Sequence, residues 1–139
     1  MRKQITKTCI VLFALLLCGC ASTSEGTRES DAPRDSIEIV SLRQTAGGYL
    51  LDLRYRVLDP EQAAAVFDRQ NDAYLIDEAT GTTLGVPTTA KVGPLRQTNF
   101  KPDPERIYFI LFSNPGVVTA GDKVTFVVGD YRAEHLVVE

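Results

Sequence analysis

The chain has 139 residues, with 15 basic and 18 acidic side chains, one histidine and a formal net charge of −3 at pH 7. This acidic balance argues against binding to nucleic acid or to anionic lipid. All three cysteines lie within the first 20 residues, so the rest of the chain offers no disulfide and no thiol chemistry.

The first stretch has the layout of a secretory signal. Arg2, Lys3 and Lys7 form a basic start without acids, and an apolar run follows over residues 8–17. An uncleaved transmembrane anchor is the alternative, but a spanning helix needs about 20 apolar residues and this run is much shorter. We therefore predict that residues 1–19 are a signal peptide. Its removal takes three bases and no acid, which leaves a net charge of −6.

The apolar run closes with Leu17-Cys18-Gly19-Cys20. These residues resemble the lipobox of bacterial lipoproteins, although Ala or Ser is more usual than Cys18. The resemblance implies a diacylglyceryl thioether on Cys20, cleavage after Gly19 and acylation of the new amino terminus, which together give stable anchoring. Because Ala21 rather than Asp follows the cysteine, it also implies the periplasmic face of the outer membrane if the source is Gram-negative.

Residues 20–35 hold the lipid site and a predicted disordered tether, since no aliphatic side chain larger than Ala occurs there. One domain is predicted over residues 36–139, with a first strand pattern in residues 37–42 and a tight turn at Gly47-Gly48. Residues 49–58 alternate between apolar and mostly charged side chains, as in a half-buried strand. Five of them are predicted to face the core: Tyr49, Leu51, Leu53, Tyr55 and Val57.

A helical pattern begins at Asp59, with Pro60 suited to the first helical position and Gln62 to a capping box. It predicts one or two turns that end near Asp68. Residues 87–106 are predicted to be mostly irregular, with a short edge strand within residues 92–97 as an option. Further strands are predicted over residues 74–77, 82–84, 107–112 (buried on both faces), 124–128 and 131–138, the last two joined by Gly129-Asp130.

These elements predict an all-β fold, a single antiparallel immunoglobulin-like β-sandwich of about seven strands with one short helix. The cysteine and tryptophan hallmarks of antibody domains are missing, so the likeness is one of architecture. A small open barrel is the alternative. Neither fold implies a function.

No residue set in the domain predicts catalysis or a metal site. His135, the one histidine, is predicted to face Val124 across the last hairpin as a packed or edge residue. There is no Gly-x-Ser-x-Gly motif, and ligands for zinc, copper or haem are lacking. Asp68, Asn71, Asp72 and Asp77 surround one loop without the spacing of a calcium loop, so a solvated acidic loop is favoured over adventitious calcium binding. We predict no metal, no cofactor and no enzymatic activity.

Charge is unevenly distributed along the domain. Residues 59–78 hold six acids and one base, whereas residues 79–102 hold three bases and no acid. This basic segment is either an ordinary solvated loop or a partner-binding surface, since loops on rigid scaffolds often carry recognition. The candidate binding residues are Lys91, Arg96, Phe100 and Lys101.

The sequence therefore favours a cell-envelope protein held in the membrane by lipid on Cys20, with a domain that is a non-catalytic interaction or structural module for another envelope protein. The alternative is a binding protein for a small molecule or saccharide, which needs a concave pocket of at least about 300 Å³. An enzyme is the least favoured hypothesis.

Overall fold

The computed structural model describes residues 36–98 and 101–139. The predicted signal peptide, Cys20, the tether and Phe100 lie outside the described residues. Nine strands are present in the described part: β1 (Ile37–Thr45), β2 (Leu50–Val57), β3 (Ala73–Asp77), β4 (Thr83–Gly85), β5 (Thr88–Thr89), β6 (Gly93–Pro94), β7 (Ile107–Ser113), β8 (Lys123–Val128) and β9 (Tyr131–Val137). A 3-10 turn (Ala46–Gly48) joins β1 to β2, and a short helix, α1 (Ala64–Phe67), precedes β3.

Seven of these strands form two antiparallel sheets. One sheet has the order β1-β2-β7 and the other β4-β3-β8-β9, while β5 and β6 pair as a separate hairpin. Phe112 of β7 packs against Phe126 of β8 with ring centroids 6.0 Å apart, so the two sheets share one core. The predicted all-β sandwich is confirmed. Its strand order is that of an immunoglobulin constant domain whose fourth strand pairs with the third instead of the fifth.

Strand β2 shows the predicted alternation, with one correction. Leu51, Leu53, Tyr55 and Val57 are fully buried. Tyr49 was predicted to continue this face, but it is 72% exposed. Tyr49 follows the 3-10 turn, where Gly47 has a φ of 67°, and β2 begins only at Leu50. The alternation therefore does not extend back to this position.

Strand β7 is the last strand of its sheet in the order β1-β2-β7, and only one of its faces is fully buried. Tyr108, Ile110 and Phe112 are buried, whereas Ile107 is 42% exposed, so the prediction of burial on both faces is wrong. Residues 95–97 run beside β7, where Leu111 N donates to Leu95 O at 2.9 Å. Residues 95–97 therefore lie at the edge of this sheet, within the range 92–97 where the sequence allows a short edge strand.

The last hairpin contains a bulge that the sequence did not predict. Val124 faces Leu136 instead of His135, because Glu134 and His135 together lie opposite Thr125. His135 has a φ of 61°, and its side chain is 72% exposed. The predicted pairing of His135 with Val124 is therefore wrong, since one additional residue in β9 shifts the register.

The predicted cap at Asp59 is present. Its Oδ1 accepts hydrogen bonds from Glu61 N and Gln62 N at 3.0 and 3.2 Å, and Gln62 Nε2 donates to Oδ2 at 2.6 Å. The α-helix itself begins later, at Ala64, because the capped residues form a turn. Phe67 at its end meets Tyr108 edge to face with centroids 4.9 Å apart, and so closes one end of the core.

Candidate functional site

Several connections emerge together at one end of the sandwich, which we term the entry end. Antiparallel pairing places the start of β1 beside the end of β2, and the end of β2 beside the start of β7. The start of β3 and the end of β4 are paired in the same way, next to the end of β8. The entry end therefore holds residues 58–72, with α1, and residues 86–98 and 101–106, with most of the basic segment.

Two adjoining clefts open at the entry end. The hairpin cleft, of about 540 Å³, lies between the start of β3 and the β5-β6 hairpin, with Val86, Val92 and Pro94 among its apolar walls. The helix cleft, of about 460 Å³, lies against α1, and its apolar lining residues include Pro60, Phe67 and Pro102. Arg69 and Thr98 line both clefts. We term the two clefts together the groove.

Arg69 lies where the two clefts meet. Its Nε donates a hydrogen bond to Thr98 Oγ1 at 3.0 Å, and neither Nη group has a partner among the described residues. A guanidinium held on one side, with its Nη groups free, suits a carboxylate ligand. Within the sequence Arg69 is only the single base of an acidic stretch. Its contact with Thr98 spans 29 residues, so no local pattern could have identified it.

Arg96, a predicted partner-binding residue, is half-buried and already engaged. Its Nη1 donates to the carbonyl of Asn71 at 2.8 Å, and its Nη2 donates to the carbonyl of Asp68. The guanidinium therefore holds the loop that forms one wall of the hairpin cleft. Its role here is to position that loop.

Two of the other predicted binding residues lie next to residues that line the groove. Lys91 is exposed at the tip of the β5-β6 hairpin, and its neighbour Val92 is 76% exposed. Lys101 is exposed beside Pro102 of the helix cleft. Each lysine is therefore next in sequence to a residue that lines a cleft, although neither lysine lines one itself, while Phe100 and Cys20 lie outside the described residues.

A second polar cluster surrounds Glu78 at the opposite end of the sandwich. Glu78 Oε1 accepts from His135 N and from Thr125 Oγ1, each at 2.8 Å, and Oε2 lies 2.9 Å from His135 Nδ1. The His135 side chain, the His135 backbone and Thr125 lower the pKa of Glu78 to about 2. The Thr125 hydroxyl donates to the carboxylate and not to the imidazole, so these residues do not form a nucleophile–base pair. They hold the bulge of β9.

Metal-ligating side chains are dispersed in the described part of the chain. No group of three or more His, Cys, Asp or Glu residues there lies close enough to hold an ion. Across residues 36–98 and 101–139, no helix has the length and apolar character needed to cross a membrane.

Protein-family models, curated proteins and solved structures show no match to this chain. The groove is therefore assigned from its own geometry.

Proposed function

We propose that the protein is a lipid-anchored lipoprotein of the cell envelope, and that its domain is a non-catalytic module that binds another envelope protein through the groove. One observation carries this proposal. The basic segment predicted for partner binding forms a wall of the groove, with Val92, Pro94, Thr98 and Pro102 among the lining residues. The resemblance of residues 17–20 to a lipobox supports the anchor at Cys20. The proposal includes no cofactor, metal or nucleic acid.

The chemistry of the groove favours an acidic partner segment. Lys91 and Lys101 are exposed next to the lining residues Val92 and Pro102, and Arg69 presents its Nη groups between the two clefts. Val92 supplies apolar surface next to Lys91. Apolar contacts beside complementary charges are the combination from which interface hot spots are often built. Because these charges are exposed, their attraction should weaken as salt shortens the screening length to about 8–10 Å near physiological strength.

A pull-down from native envelopes tests the groove. The double variant Lys91→Glu, Lys101→Glu should recover at least about fivefold less partner than the wild type at low salt, since it reverses two exposed charges. Arg96 is kept because it holds the loop of residues 68–71. Lys123→Glu is the matched control, an exposed lysine at the far end of β8 from the groove. Circular dichroism checks that each variant is folded. Equal recovery with the double variant would show that the basic segment is only a solvated connection.

A small molecule or saccharide is the second candidate for the groove. The hairpin cleft, at about 540 Å³, falls within the range of roughly 300–1,000 Å³ that is typical of ligand pockets. Half-buried Tyr74 lines it beside Asn71 and Arg96. Thermal unfolding with a panel of envelope saccharides would separate the candidates. A saturable rise in melting temperature that Arg69→Gln abolishes would favour this second function over a protein partner.

A further inference from the structure

The chain enters the domain beside the groove. Ser36 is fully buried, and its carbonyl accepts hydrogen bonds from Leu58 N at 2.9 Å and Asp59 N at 3.2 Å. The next residue, Pro60, already lines the helix cleft. The attachment point of residues 20–35 is therefore fixed at the same end of the sandwich as both clefts.

The opposite end of the sandwich is far from this attachment point. Glu139 N donates to Leu42 O at 2.8 Å, and Gln44 N donates to Glu139 O at 3.2 Å. Gly121 N donates to Val138 O at 2.8 Å, which places the loop of residues 114–122 at that end too. Seven strand steps separate Ile37 from Gln44, or roughly 23 Å.

We infer that the groove faces the membrane that carries Cys20, and that its partner is a protein segment exposed at the surface of that same membrane. This inference rests on the lipid anchor of the proposed function. Because the tether joins the entry end, that end lies closer to the membrane on average than the opposite end. The sequence predicts that residues 21–35 are a disordered tether, and a flexible chain of that length spans roughly 20 Å on average, which would hold the groove close to the surface.

The membrane itself is a poor occupant of the groove. The chain without residues 1–19 has a net charge of −6, and a lipid surface presents its negative charge to the whole domain, not to the cations of the groove alone. Anionic headgroups would be repelled overall. A protein segment can place one carboxylate on Arg69 and apolar side chains in the clefts, whereas a charged lipid surface cannot.

Energy transfer to the membrane tests the orientation. The folded part has no cysteine, so Val92→Cys and Ala120→Cys each introduce one labelling site, at the groove and at the far end. The lipidated full chain is placed in vesicles of phosphatidylethanolamine and phosphatidylglycerol that carry a headgroup acceptor dye. Transfer from residue 92 should exceed transfer from residue 120 at least about twofold, because the average span of the predicted tether, roughly 20 Å, does not exceed the roughly 23 Å between the two ends of the domain. Equal or reversed transfer would overturn the inference.

Crosslinking in native envelopes tests the location of the partner. A photoreactive side chain at Val92 should give an adduct with a membrane-bound protein, and one at Ala120 should not. Insertion of ten prolines after Ser30 adds a stiff spacer of about 31 Å, whereas ten Gly/Ser residues add far less average length. The proline insert should lower the adduct yield at least about fivefold and the flexible insert less than about twofold. Equal yields from the two inserts, or from the two probe positions, would contradict a membrane-facing groove.

Fractionation of the same samples separates the two proposals. If the wild type is found in the soluble fraction, the lipid anchor is wrong. If the wild type and both inserts remain in the membrane fraction while adduct yields are equal, only the membrane-facing groove is wrong.

Discussion

Asn114 connects two loops at the end of the sandwich opposite the groove. It is 1% exposed, and its side chain makes four hydrogen bonds. Nδ2 donates to the carbonyls of Gly48 at 2.8 Å and Val118 at 2.7 Å, and Oδ1 accepts from Val117 N and Val118 N, both at 3.1 Å. In the sequence, this residue begins Asn114-Pro115-Gly116, which is a turn pattern. Its contact with Gly48 shows that it also joins the turn after β1 to the loop after β7.

Asn114→Ala should lower the free energy of unfolding by about 2–4 kcal/mol, because it leaves buried backbone groups without partners. Urea unfolding of a soluble form of residues 36–139 measures the loss. The exposed neighbour Ser113 is the matched control, and Ser113→Ala should change stability by no more than about 0.5 kcal/mol. A loss at Asn114 as small as that at Ser113 would mean that water replaces these hydrogen bonds.

Glu78 makes the stability of the domain depend on pH. Its pKa of about 2 in the folded protein lies below the ordinary value of 4.5, chiefly because the His135 side chain bonds the carboxylate. At acidic pH the unfolded chain therefore binds a proton more readily than the folded chain. The stabilisation from Glu78 is fully present above pH 4.5 and is lost as the pH falls towards 2.

Glu78→Gln should flatten this dependence. Between pH 4.5 and 2 the urea midpoint of the variant should fall less than that of the wild type, because one carboxylate with a lowered pKa has been removed. Glu61→Gln removes an exposed carboxylate that has no hydrogen bond to another described residue, and serves as the control for general charge effects. Parallel curves for the wild type and Glu78→Gln would show that the His135 contact is not maintained in solution.

Strand β2 is the element on which its sheet depends. It pairs with β1 on one side and β7 on the other, and Leu53 lies between Leu42 and Ile110 with no exposed surface. Arg54, the next residue, points outward and forms an ion pair with Asp52 at 3.0 Å. The two neighbours therefore test the two faces of one strand.

Leu53→Ala should destabilise the domain by about 2–5 kcal/mol, since it leaves a cavity in the core. Arg54→Ala should cost no more than about 0.5–1 kcal/mol, because the Arg54 side chain is 52% exposed. Urea unfolding of both variants measures the two losses in the free energy of unfolding. Similar losses would indicate that the register of β2 is wrong, because a slip of one residue exchanges the two faces.

For the molecule as a whole, the proposed lipid anchor is the premise from which the orientation of the groove is inferred. Cys20→Ser should release the protein from the membrane fraction or leave an unprocessed precursor, because the resemblance to a lipobox assigns the lipid to this residue. Incorporation of a radioactive fatty acid is the measurement, with the wild type as reference. Equal label in both proteins would contradict the anchor.

The all-β class, the two faces of β2 and the cap at Asp59 follow from the sequence, because each depends on residues within a few positions of one another. Alternation along a strand and the Asx-type cap are local patterns. The same holds for the Gly129-Asp130 turn, which correctly pairs Val128 with Tyr131.

The groove follows only from the folded chain. Arg69 meets Thr98 across 29 residues, and Arg96 reaches the carbonyl of Asn71 across 25. The bulge at His135 is held by Glu78, 57 residues away. Periodicity describes which way a side chain points from its own strand. Which distant segment it meets depends on how the two sheets pack, and that packing is set by the whole core at once.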